Sequence, residues 1–138
     1  PDADACRVWG GPAFRFPFTL ESFRADARID DLSTWAFDDD DGTLAAFGQY
    51  YLRVGRCHLG RLAVAPALRG RGLGRTLVHE LCRIGSADLG VDAYSLFVLS
   101  GNERATRLYE RLGFVPARYP EPDPMFDDCL YMVATRLR

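Results

Sequence analysis

Hydrophobic and polar positions follow two different periods along this chain, and the switches between them mark the elements. From Thr43 to Arg53 and from Arg56 to Ala65, Tyr, Phe, Leu and Val crowd into two long runs that read as strands, joined through Val54-Gly55. Ahead of them, Trp35-Ala36-Phe37 opens a further strand, and Asp38 to Gly42 is a polar turn whose Asp41-Gly42 pair is a hairpin signal. Pro66 ends the second long run. After a glycine-rich turn, Leu73, Leu77, Leu81 and Ile84 recur at helical spacing, and the helix they predict stops near Gly90. Tyr94 to Leu99 is a short apolar strand bounded by Ser100-Gly101.

A second clear helix follows, with Ala105, Leu108, Tyr109 and Leu112 on one face. Ser100 and Glu103 are expected to cap it reciprocally, and Gly113 to terminate it. Phe114-Val115 opens another strand, Tyr119 to Asp128 is a loop rich in Pro and acid, and Cys129 to Thr135 is a last strand. Near the start, Ala3 to Val8 reads as a helix stopped by Gly10-Gly11-Pro12. Thr19 is placed to cap a short helix through Glu21, Phe23 and Ala27. The predicted order is helices, three strands, helix, strand, helix, two strands. It describes one α/β domain with a mixed sheet, covering residues 1–138.

Composition changes this picture little. The 17 basic residues, all Arg, nearly balance the 19 acidic ones, so a nucleic-acid or membrane partner is not expected. No apolar run is long enough for a membrane span. Cys6, Cys57, Cys82 and Cys129 are scattered, and with only His58 and His79 beside them no zinc-ligand spacing emerges. The expectation is free thiols in a reducing cytoplasm, and no metal.

The strongest local signal is Val64-Ala-Pro-Ala-Leu-Arg69-Gly70-Arg71-Gly72-Leu73-Gly74, between a strand and a helix. Glycines let the backbone approach a ligand closely, and the following helix N-terminus favours an anion such as phosphate. Arg69, Arg71 and Arg75 add positive charge. The nucleotide-hydrolase pattern fails for want of a Lys, and the dinucleotide G-x-G-x-x-G fails because position 75 is Arg.

Arg69-Gly-Arg-Gly72-Leu-Gly74 resembles the [Q/R]-x-x-G-x-[G/A] acetyl-CoA signature of the GNAT superfamily. Asn102-Glu-Arg-Ala105-Thr-Arg-Leu-Tyr109-Glu-Arg-Leu-Gly113-Phe114 is similar to that family's second signature, N-x-x-A-x-x-x-Y-x-x-x-G-F. The resemblance implies a sheet with helices on both faces, splayed between the strand ending at Ala65 and the strand at Tyr94. Pantetheine would lie in that gap, pairing with main-chain groups near Leu62, Ala63 and Val64. The pyrophosphate would sit on the amides from Arg69 to Arg75, with Asn102 touching the cofactor chain. The family's usual initial strand has no counterpart ahead of Ala3, so this chain is expected to begin inside or after it.

Acetyl transfer from a thioester to an amine needs proton removal, an oxyanion site and a protonated leaving thiolate. By the resemblance, Tyr109 meets the departing sulfur, and a backbone N–H near Leu62 or Ala63 holds the oxyanion. His58 is a candidate base, and water-mediated proton loss is its rival. Trp9, Phe14, Phe16 and Phe18 on one side, and Tyr119, Glu121, Asp123, Asp127 and Asp128 on the other, would wall an acceptor site suited to a cationic amine. The implied activity is N-acetylation of a small-molecule amine or a protein N-terminus. The rival readings are a non-catalytic acyl-CoA-binding module and an unrelated nucleotide-binding domain. Homodimers are common in the family, and a homodimer is among the assemblies the resemblance admits.

Overall fold

The amphipathic segments find their partners in a six-stranded mixed sheet. The computed structural model describes residues 2–11 and 14–138. Two short helices, α1 (Ala3–Gly10) and α2 (Leu20–Ala27), precede three antiparallel strands, β1 (Ser33–Asp38), β2 (Leu44–Arg53) and β3 (Arg56–Val64). Then come α3 (Leu73–Leu89), β4 (Tyr94–Leu99), α4 (Glu103–Arg111), β5 (Val115–Pro116) and β6 (Cys129–Ala134). The sheet order is β1-β2-β3-β4-β6-β5, with β3 and β4 the parallel pair.

Local chemistry fixes the helix ends. Thr19 and Ser22 form a reciprocal cap on α2. The α3 helix runs until Gly90, whose φ of 67° closes it in the left-handed region. At α4 the expected Ser100–Glu103 cap is replaced. Asn102 is the cap, its Oδ1 accepting from the Ala105 N–H at 3.3 Å. The Ser100 backbone N–H instead donates to the Asp128 carbonyl at 2.7 Å, which holds Ser100 in the turn after β4.

The two sheet faces are covered differently. On one, Leu77, Val78, Leu81 and Cys82 of α3 pack with Tyr50, Leu59, Leu96, Leu112, Phe114 and Met132 in the main core. Gly48 and Gly85 allow α3 to lie close. A Cβ on Gly48 would stand 2.5 Å from Leu81 Cδ1, and one on Gly85 2.5 Å from Cys57 Sγ. On the other face α1 and α2 close a smaller cluster of Cys6, Phe14 and Ala27 with Trp9 and Phe23. Among the described residues no helix is long and apolar enough to cross a membrane.

Candidate active site

The parallel pair β3 and β4 is joined only at Cys57–Tyr94, His58–Ser95 and Leu59–Leu96. Beyond Leu59 the strands part, while β4 stays paired with β6 along its whole length to Leu99. Gly60 to Val64 therefore has β2 on one edge and an open notch on the other. That edge is roughly 16 Å of extended backbone whose polar groups need partners.

Within it lies a bulge. Phe47 faces Ala63 and Gln49 faces Gly60, so Arg61 and Leu62 stand opposite the single residue Gly48. Arg61 takes a left-handed φ of 50°. An extra residue breaks the ladder and turns a peptide group out of register, here at Leu62. A hydrogen-bond network holds this conformation. Arg61 Nη1 donates to Gln49 Oε1 at 3.0 Å and Nη2 to the Asp26 carbonyl at 2.8 Å. Gln49 is fully buried, and its Nε2 donates to the Ala27 carbonyl at 2.7 Å and to Thr34 Oγ1 at 2.9 Å. The end of α2 thus braces the bulge. The motifs do not point to this network, and its one sequence signal is a Gln in the middle of a strand that is otherwise apolar up to its terminal Arg53.

At the mouth of the notch, Gly70 (φ 78°) and Gly72 (φ 80°) adopt the left-handed region, which L side chains rarely take. No side chain caps α3, and its first intrahelical bond is Thr76 N–H to the Gly72 carbonyl. The amides of Leu73, Gly74 and Arg75 are left for a ligand, beside the positive end of a 17-residue helix with no acid in its first turn. Gly74 lets α4 approach, since a Cβ there would lie 3.1 Å from Leu108 Cδ2. The three arginines do not converge. Arg69 Nε donates to the Val64 carbonyl at 3.2 Å, Arg75 Nη2 to the Arg138 carbonyl at 2.7 Å, and Arg71 is exposed. A cavity of about 490 Å³ adjoins this loop, between Arg71 and Leu73 on one side and Asp38 to Asp41 on the other. Its acidic rim makes it a poor anion site.

Topology sets the level of Tyr109 along the sheet. The α4 helix starts past the open end of β4 and returns, because Val115 pairs with Val133, which itself faces Ser95. Seven helical residues from Asn102 rise about 10 Å, as do three residues of strand, so Tyr109 comes level with Leu96 at the apex. Its half-buried ring stands edge-on to Phe114, and desolvation pushes the phenol up to about 12. No hydrogen bond to another described residue engages its hydroxyl. Asn102 spends its carbonyl on the cap and keeps its amide nitrogen free of that bond.

His58 sits at the apex but is closed in. It is 2% exposed, between Tyr51 and Phe97, with Nδ1 paired to Ser95 Oγ at 2.8 Å. Burial, and then the nearby Arg53 charge, push its pKa down to about 3. Such an imidazole is neutral at pH 7 and a weak proton acceptor.

The supposed acceptor walls are only partly open. Trp9 and Phe14 are packed on Phe23, while Phe16 and Phe18 are exposed. Asp123 caps the Met125 N–H, and Asp128 pairs with Arg7 of α1 at 3.0 Å. Glu121 and Asp127 are exposed. The open aromatic surface expected for a cationic amine is instead occupied at Tyr119 by the chain's own Arg53, whose Cζ lies 5.7 Å from that ring.

Known proteins resemble this chain in sequence and fold. A mycothiol acetyltransferase of Beutenbergia cavernae is 37% identical over 102 residues, 66% of this chain and 33% of that protein. The chain thus spans about a third of that relative's length. A glucosamine 6-phosphate N-acetyltransferase of Trypanosoma brucei brucei is 35% identical over 66 residues, 46% of this chain and 42% of that one. The crystal structure of the ribosomal-protein-S18-alanine N-acetyltransferase from Escherichia coli superposes with a TM-score of 0.64 at 27% identity, covering 94% of this chain and 84% of that one. The model of the Acetyltransferase (GNAT) family matches residues 3–114. Since that match runs from the first helix through the whole notch and on past α4, the chain belongs to the GNAT family of acetyltransferases.

Proposed function

We propose that this protein is an N-acetyltransferase that moves an acetyl group from acetyl-CoA directly to a primary amine of a small molecule or a protein N-terminus. The observation that carries the reading is the unpaired β3 edge, opening beside an uncapped, glycine-led helix start. That geometry fits an extended, amide-bearing arm ending in a pyrophosphate. Acetyl-CoA supplies a thioester, an acyl carbon already activated toward an amine.

The chain's own groups then divide the work. Main-chain groups of Leu62 and Val64 pair with the arm once Arg69 moves off the Val64 carbonyl, while Ala63 between them turns its own groups to Phe47 on β2 and lines the arm's path. The amides from Arg69 through Gly70, Arg71, Gly72, Leu73 and Gly74 to Arg75 hold the phosphates. The Leu62 N–H, turned out by the bulge, donates to the developing oxyanion. As the C–N bond forms and the C–S bond breaks, Tyr109 gives its hydroxyl proton to the sulfur, and water carries away the amine proton. His58, with its pKa near 3 and its bond to Ser95, positions the apex and does not serve as the base. Four free cysteines suit a cytoplasmic setting.

The test is thiol release from acetyl-CoA across a panel of primary amines, for wild type and Tyr109→Phe. Amine-dependent release by wild type that falls steeply in the variant supports the reading. Saturable acetyl-CoA binding without release to any amine or peptide would favour a non-catalytic module.

A further inference from the structure

The face of the sheet that α1 and α2 cover carries a guanidinium in an aromatic box. Tyr51 and Arg53 share that face of β2, as the period of a strand requires. Arg53 Cζ lies 5.0 Å from the Phe126 ring centre, 5.3 Å from Phe97, and 5.7 Å from both Tyr51 and Tyr119. Phe97 and Phe126 are stacked at 4.3 Å, and Tyr119 stands edge-on to Phe97 at 5.0 Å.

Two features set this arginine apart from one that is merely packed. Among the described residues no salt bridge reaches Arg53, and although Arg56, Arg61, Arg69, Arg71 and Arg75 also lack one, only at Arg53 do aromatic rings hold the unpaired guanidinium. Its one hydrogen bond runs from Nη1 to the Tyr51 hydroxyl at 3.2 Å. The same ring cluster also holds the Tyr131 hydroxyl, buried and without a hydrogen-bond partner among the described residues. With rings fixing the guanidinium, its remaining donors lie in its plane, the geometry that receives a carboxylate or phosphate in a fork. Position completes the case, because Phe97 is the first β4 residue beyond the last β3–β4 pair, at the apex where the amine must arrive.

We propose that Arg53, steadied by Tyr51, Phe97, Tyr119 and Phe126, is a specificity-determining residue that binds an anionic group, carboxylate or phosphate, carried by the acceptor beside its amine. This rests on the transferase reading above. It reverses the charge preference expected from the acidic loop, since the cation in the aromatic box is the protein's own.

The experiment compares matched amines: β-alanine against its amide, and 2-aminoethyl phosphate against ethanolamine. Wild type, Arg53→Gln and Arg53→Lys are each assayed by thiol release, with acetyl-CoA affinity measured on the same samples by calorimetry. Wild type is expected to prefer the anionic member of at least one pair by about tenfold or more, chiefly through KM. Arg53→Gln should bring the two members within about threefold, Arg53→Lys should keep part of the preference, and acetyl-CoA affinity should stay put in both. Which pair responds distinguishes carboxylate from phosphate. Should no probe be acetylated, the same pairs are titrated into the protein loaded with CoA, and the same discrimination is read in Kd. No preference in wild type, or a preference that survives in Arg53→Gln, overturns the proposal. Loss of acetyl-CoA binding in wild type is a different result, and it strikes the transferase reading.

Discussion

Acidification isolates what the apex of the notch does with His58. The imidazole is 2% exposed, with a pKa near 3 against an ordinary 6.5. Below pH 6.5 the unfolded chain binds a proton here that the folded chain refuses until pH approaches 3. Stability is therefore complete above the unfolded value and is lost as pH falls toward the folded one. For those two values, going from pH 7 to pH 5 removes about 2 kcal/mol, and going to pH 3 roughly 4 kcal/mol. At this chain length the pH 5 loss lowers Tm by roughly 6–10 °C. Carboxylates titrate over part of the same range, so the informative quantity is a difference. Urea unfolding of wild type and His58→Gln at pH 7 and pH 5 should show wild type losing about 2 kcal/mol more than the variant. The His58 ring resonances should meanwhile stay flat from pH 8 to pH 5. A midpoint between pH 6 and 7, or equal pH sensitivity in both proteins, refutes the burial argument and restores His58 as a base.

Other expectations follow from single contacts. Tyr109→Phe removes one hydroxyl without a protein partner, so kcat should fall by about 10²-fold or more while acetyl-CoA affinity and Tm hold. With the phenol raised to about 12, wild-type kcat should show no alkaline decline from this group below pH 10. Gly85→Ala would ordinarily stabilise a helix by about 1 kcal/mol, but its Cβ meets Cys57 Sγ at 2.5 Å and the Tyr50 ring at 3.1 Å. Overpacking of about 1–3 kcal/mol should win, seen as a lower urea midpoint. Gln49→Leu strips the brace from Arg61 and should cost about 1–3 kcal/mol in urea unfolding, with kcat falling further than acetyl-CoA affinity. Unchanged kcat in that variant would show that the bulge needs no brace.

The periodic parts of the fold were legible because periodicity reflects burial. Leu77 and Leu81 announced the face of α3, and Tyr94 to Leu99 announced β4 with its observed limits. The glycine loop and the α4 motif were legible too, since positive φ and close approach restrict residue choice at Gly70, Gly72 and Gly74. What escaped depends on side-chain reach across strands. Nothing local tells that Arg61 will meet the carbonyl of Asp26, 35 residues earlier, or that Arg53 will lie over Phe97 and Phe126. The cap of α4 failed for a local reason, because Asn102 stands next to the helix and offers a side-chain acceptor two residues closer than Ser100.

The central claim is that the open β3 edge and the glycine-led start of α3 form an acetyl-CoA site. Calorimetric titration with acetyl-CoA, alongside ATP and NAD, for wild type and a folded Gly72→Glu variant tests it most directly. The account predicts saturable one-to-one binding of acetyl-CoA by wild type, weak or no response to ATP and NAD, and loss of binding in the variant. A folded wild-type protein that ignores acetyl-CoA, or a Gly72→Glu variant that binds it equally well, would contradict the account.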